Sequence, residues 1–191
     1  MAFVAMVAAG CSSTLKATSV DASTGRFATG SSVKQEEILV QEAFRAEYED
    51  LLFVKTSVDL TDYNDFFMKS FKQMKPYRTV LNQSELEALV IERNLTDKVS
   101  SISDLVGLNR LSREIGPILV VEPKVEFGGG YNFSATLKAT DATTGKTVFE
   151  VRRKAFNWAG LDKPLFYPIL NAFADWSEGK PVTVAAESKK K

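Results

Sequence analysis

The sequence predicts an α/β (α+β) domain: a single mixed sheet with helices packed on it, ending in an antiparallel hairpin and a C-terminal helix. Three observations lead there. Amphipathic segments of helical period alternate with short apolar runs between Leu51 and Val121. Gly116-Pro117 stops one such helix directly before the continuous apolar run Ile118–Val121, the pattern of a strand buried on both faces. Phe133, Ala135, Leu137 and Ala139 then alternate with polar residues before the turn residues Thr143-Thr144-Gly145-Lys146.

Element by element, residues 36–48 fit a helix loosely, although Ile38 and Val40 also alternate like a strand. Leu51 to Val58 reads as a strand. Thr61 or Asp62 can cap a helix whose stripe is Tyr63, Phe66, Phe67, Phe71 and Met74, and Lys75-Pro76 stops it. Tyr77–Leu81 is a second short strand. Ser84 with Glu87 makes a capping box for a helix reaching about Asn94. A third helix runs from about Ser103 to Ile115 on Leu105, Leu108, Leu111 and Ile115, and Val125 and Phe127 extend the strand that follows it. Val148–Phe156 returns the hairpin, with Gly145 supplying positive φ in the turn. The last helix spans about Lys163–Ser177, with Pro164 and Pro168 early enough to be tolerated.

Composition limits the chemistry. The chain has 191 residues, 45% apolar and 25% charged, which suits one domain with a real core. Lys+Arg and Asp+Glu are 24 each, so no global charge points to nucleic acid. Without His there is no Ser-His-Asp triad and no imidazole ligand for zinc. One Cys allows neither an internal disulfide nor a CxxC redox pair. Neither a metal nor a cofactor is expected.

The single cysteine has a telling context. Cys11 follows a short apolar run ending in Ala8-Ala9-Gly10 and precedes Ser12-Ser13-Thr14. This resembles the end of a bacterial lipoprotein signal peptide, where cleavage before Cys exposes the residue that carries palmitate-type acyl chains. Ala8 stands where the pattern prefers Leu, and no Lys or Arg precedes the run. The run is too short to span a bilayer, which takes about 20 apolar residues. The expected organisation is therefore signal peptide 1–10, lipidated Cys11 with a flexible Ser/Thr/Ala/Gly tether over 11–34, domain 35–179 and a basic tail 180–191. Residues 12–34 as coil would span roughly 25–30 Å. Ser12 resembles the sorting signal for the outer membrane, so anchoring on its periplasmic face is expected.

Three stretches carry a further resemblance. They are Tyr77–Leu89, Leu111–Val121 and the hairpin Ala135–Val148 with Asp141-Ala142-Thr143-Thr144-Gly145-Lys146. In this order they are similar to the α/β domain of periplasmic assembly lipoproteins, a group including the curli-secretion lipoprotein CsgG, the TolB N-terminal domain and LpoB. The resemblance covers about residues 50–177. It implies scaffolding, homo-oligomerisation or partner binding, and no shared catalytic residues.

Gly128-Gly129-Gly130 with Tyr131 opens an alternating strand, not a helix, so it reads as a hairpin connection suited to partner contact and not as a phosphate cradle. Arg152-Arg153-Lys154 reads as a solvated edge resisting edge-to-edge pairing. Glu36-Glu37, Glu47-Glu49-Asp50 and Asp59-Asp62-Asp65 are the carboxylates available to a hydrolase, with nothing to bring a pair together. Trp158 and Tyr167 are candidate interface anchors, although stripes like the one around Tyr167 are usually core. The expected function is non-enzymatic: a lipid-anchored binding or scaffold protein in envelope or surface-structure assembly, with an envelope protein partner. The alternatives are an activator docking on a peptidoglycan synthase and a carboxylate- or Ser-dependent hydrolase.

Overall fold

The computed structural model describes residues 19–56, 61–157 and 160–186. Six strands, β1 (Ile38–Gln41), β2 (Leu52–Val54), β3 (Val80–Leu81), β4 (Leu119–Phe127), β5 (Asn132–Asp141) and β6 (Lys146–Phe156), form one mixed sheet. Their order is β1-β6-β5-β4-β2-β3. β4, β5 and β6 are an antiparallel meander, β1 lies antiparallel on β6, and β2 lies parallel to both β3 and β4. Four helices, α1 (Thr61–Phe71), α2 (Gln83–Glu92), α3 (Leu105–Ile115) and α4 (Tyr167–Ser177), pack on it. The α/β class and single mixed sheet expected from the sequence are what the chain forms.

The strand period of two explains the continuous apolar runs. Leu52, Val54, Leu119 and Val121 face one side, while Leu51, Phe53, Ile118 and Val120 face the other. On the first side α1 and α4 deliver Phe66, Phe67, Phe71, Phe173 and Trp176 onto Leu137, Phe149 and Val151. Rings meet edge-on or stacked at 5–6 Å, as for Phe71–Phe173 at 5.5 Å and Phe149–Trp176 at 4.9 Å. On the second side α2 and α3 bring Leu86, Val90, Leu108 and Leu111 over the β2–β4 half. They do not reach the distal hairpin, so its second face carries polar Lys124, Glu126, Arg152 and Lys154, each at least partly exposed.

Local chemistry sets the helix ends. Asn82, not Ser84, caps α2: its side chain accepts from Glu85 N–H at 2.8 Å, and Glu85 accepts from Asn82 N–H at 2.8 Å. The capping box therefore lies two residues earlier than Ser84-Glu87, because Asn82 already holds extended geometry and its side chain reaches the third helical amide. Asp104 caps α3 through Gly107 N–H at 2.9 Å. Gly116 ends α3 at φ +105° and hands the chain to β4, as its position predicts. The last helix begins with a wide turn over Asp162–Phe166 before α4 proper, with Pro168 in its first turn.

Four expectations need correction. Residues 36–48 are not a helix; they form β1 between two short 3-10 turns, because Ile38–Gln41 completes the sheet edge beside Phe149–Val151. The strand from Leu51 shortens to Leu52–Val54, the length over which β4 pairs with it. The tether also ends earlier: Phe27 and Val33 are buried, and Phe27 stacks on Tyr167 at 4.9 Å. Large apolar residues are few in this stretch, yet Phe27 packs on α4 and Val33 joins the same core beside Val184. The tail likewise packs through Thr183 N–H to Asp175 at 2.9 Å and a bridge between Val33 and Val184. Cys11, Asp59, Trp158 and Lys189–Lys191 lie outside the described residues.

Candidate functional site: the β4–β5 hairpin tip

The tip begins with the register. Nine residue pairs from Leu119↔Asp141 to Phe127↔Phe133 hold β4 on β5. They carry the Gly128–Tyr131 connection about 30 Å from the Thr143–Lys146 turn, at roughly 3.3 Å per residue. Gly128 N–H donates to Asn132 O at 2.8 Å and Asn132 N–H to Gly129 O at 3.0 Å. Closing so tight a loop needs left-handed backbone, and Gly129, Gly130 and Tyr131 take it in succession at φ +86°, +54° and +67°. Tyr131 is a non-glycine there, at a cost of about 1 kcal/mol, and the result is a ring held outward. The Gly run is thus a hairpin connection.

Aromatic rings surround that loop. Phe127 and Tyr131 are each 66% exposed and Phe156 is 47% exposed. Phe127 packs on Phe133 at 5.1 Å and Tyr131 on Phe156 at 5.9 Å, so each pair braces the other's ring without hiding it. Solvating such rings is unfavourable, and clustered exposure of this kind marks interaction surfaces. Beside them lies an open hollow of about 720 Å³ lined by Glu126, Asn132, Phe133, Ser134, Arg152 and Lys154. Glu126 accepts from Lys124 at 2.7 Å and from Arg152 at 3.2 Å. The Lys124 hydrogen bond, above all, holds its carboxyl below the usual range. Among the described residues Lys154 has no ion-pair partner.

Gly128, Gly129, Gly130 and Tyr131 are therefore brought together on one exposed tip. Phe127, Phe133 and Phe156 belong with them, and sequence reasoning missed them. The signal was available: Phe127 and Phe133 flank the glycine run symmetrically, which a hairpin register turns into neighbours. Tyr167 is a correction. It is 1% exposed, wedged between Phe27 and Phe66, and cannot anchor a partner.

Several of the candidate carboxylates are engaged by cations. Glu37 pairs with Arg153 at 2.7 Å, Glu47 with Arg45 at 3.0 Å and Asp50 with Arg78 at 2.5 Å. Asp141, at the opposite end of the hairpin, accepts from Thr143 N–H, Thr144 Oγ1 and Arg45 Nη2 at 2.8, 2.8 and 2.5 Å. Burial pushes its carboxyl up, but these donors outweigh burial and hold it low, as suits a structural clasp of the turn. Among the described residues no cluster of side chains is arranged to hold a metal ion, and no helix is long and apolar enough to cross a membrane.

No family model matches the chain. No curated protein matches it either. Among solved structures it is similar to the LpoB C-terminal domain from Salmonella enterica, at 12% identity and TM-score 0.40 over 60% of this chain and 88% of that one. It is also similar to a Leu-to-Met variant of the PelC dodecamer from Paraburkholderia phytofirmans, at 11% identity and TM-score 0.38 over 75% and 97%. A third is the lipoprotein GNA1162 from Neisseria meningitidis, at 12% identity and TM-score 0.35 over 58% and 82%. Likeness of this size assigns neither a family nor a role.

Proposed function

We propose that the protein is a lipid-anchored binding or scaffold protein of the bacterial envelope, acting without catalysis and gripping a protein partner with the β4–β5 tip. The observation that carries this reading is the exposure of Phe127 and Tyr131 on a braced, tightly closed hairpin at one end of the molecule. Two further features support it. Ala8-Ala9-Gly10-Cys11 has the grammar of a lipidation site. The chain also enters the domain at the end away from the tip. Val20 N–H donates to Gln73 beyond α1, and Arg26 holds Glu178 beyond α4. That end of α4 lies by the sheet's other extremity, where Trp176 donates to Glu42 O and Glu42 N–H to Val148 O.

The mechanism is reach with a fixed direction. From Cys11 to Ser19 the chain can extend at most roughly 30 Å. A domain entered at its base would then turn the aromatic tip away from the anchoring leaflet. Confinement raises the effective concentration for a partner in that shell, so modest contact area suffices. In cells, metabolic labelling with a palmitate analogue should mark Cys11. Pull-down of the tethered protein should recover an envelope protein from wild type and lose it from Phe127→Ser/Tyr131→Ser. One membrane enzyme at fixed stoichiometry would identify the activator form of this reading, docking on a peptidoglycan synthase; several copies of the chain per complex would identify a scaffold. Label absent from Cys11, or capture unchanged by the tip substitutions, contradicts the proposal.

A further inference from the structure

β6 runs past its outer neighbour. β1 pairs with it only from Phe149 to Val151, and the chain before Ile38 then turns away through Gln35–Glu37, with Glu37 on Arg153 at 2.7 Å. On the inner side β6 stays paired with β5 to Phe156. The ladder phase follows from two bonds: Glu42 N–H donates outward to Val148 O, and Asn157 N–H donates inward to Tyr131 O. Antiparallel alternation then turns the N–H and C=O of Arg152 and Lys154 to the outer edge, where β1 has already ended.

The fold treats its two free hairpin edges differently. β4 also outlasts its neighbour β2, whose last pair is Val54↔Val121, and there the next outward-facing position is Pro123, which has no N–H to offer. That edge is blunted. The β6 edge keeps its donors, and it adjoins the exposed ring of Phe156 and the side chains of Arg152 and Lys154. With Lys124 these make three cations around one carboxylate, Glu126, which already serves two of them.

We infer that Arg152–Phe156 seats an extended acidic segment of a partner protein, which adds a strand to the outer edge of β6. Main-chain bonds to Arg152 and Lys154 supply the register. Alternate acidic side chains of the incoming strand lie beside Arg152 and Lys154, and an apolar one lies beside Phe156. A basic edge that repels copies of itself admits a strand of opposite charge. The inference rests on the tip being the partner-binding end and names the chemistry of what binds there.

The test uses the full chain and short synthetic peptides. The acidic probe alternates Glu and Val and ends in Phe; one control replaces Glu by Lys, and another carries N-methyl groups on alternate amides. Binding of the acidic probe, with slowed hydrogen exchange at the Arg152 and Lys154 amides, is expected. The Lys control and the N-methylated control should not bind. The pair Arg152→Gln/Lys154→Gln, exposed and tolerant of change, should weaken the acidic probe about tenfold. Failure of the acidic probe to bind at millimolar concentration, or binding indifferent to N-methylation, overturns strand addition. The tip reading fails separately, if partner capture in cells survives Phe127→Ser/Tyr131→Ser.

Discussion

Arg26 clamps Glu178 across 152 residues of chain: Nη1 donates to Oε1 at 2.9 Å and Nη2 to Oε2 at 3.0 Å. Its Nε reaches Asp175 at 2.9 Å, so one guanidinium ties the incoming segment to the end of α4. All three side chains are less than a fifth exposed. Arg26→Met keeps the aliphatic stem but leaves two carboxylates facing each other, and should cost about 1–3 kcal/mol in urea unfolding. Protease cleavage near Val20 should become faster in that variant, since the segment loses its main tie.

The same clamp sets an acid limit. Hydrogen bonding from Arg26 holds the Glu178 carboxyl at about 2, well under its ordinary 4.5. A depressed carboxylate stabilises the fold above the unfolded pKa, and that contribution is lost as pH falls through the folded one. Stability should therefore decline between about pH 4.5 and 2. In Arg26→Met that part of the decline should be shallower, and parallel acid titrations followed by circular dichroism would show it.

Two tyrosines of opposite role make a sharp comparison. Tyr167 is buried against Phe27 and Phe66, so Tyr167→Ala should cost about 3–5 kcal/mol. Tyr131 stands out from the tip, so Tyr131→Ala should shift stability by about 0.5 kcal/mol or less. Thermal melts of the pair check this; equal losses would mean the tip ring is a structural part of the hairpin.

Gly107 tests the α3 cap. A Cβ built there would lie 1.7 Å from Ser101 O, a backbone atom that cannot rotate away. Gly107→Ala must push the Ser101–Asp104 approach off the first turn of α3 and break the Asp104 cap. A loss of about 2 kcal/mol or more is expected from unfolding curves.

Legibility in the sequence followed the strength of local chemistry. The hairpin, Gly116 and the helical stripes of α1 and α3 were readable, since each carries a period or a conformational requirement of its own. β1 was not, because Ile38 and Val40 become a strand only by lying beside Phe149–Val151, a pairing set by tertiary contact. Phe27 and Val33 escaped notice for a similar reason: one apolar residue in a polar stretch has no period, and only the folded core shows what it packs on. At the site, Gly128–Tyr131 stood out by composition. Phe127, Phe133 and Phe156 needed the register of three strands to become its neighbours.

Photocrosslinking in living cells would read contact at the hairpin tip directly. A benzophenone side chain would replace Tyr131 at the tip in one strain and Lys146, in the turn at the other end of the hairpin, in another. One discrete adduct with an envelope protein is expected from the Tyr131 position and none from Lys146. Equal adducts from both positions, or an adduct from Lys146 alone, would contradict binding through the tip.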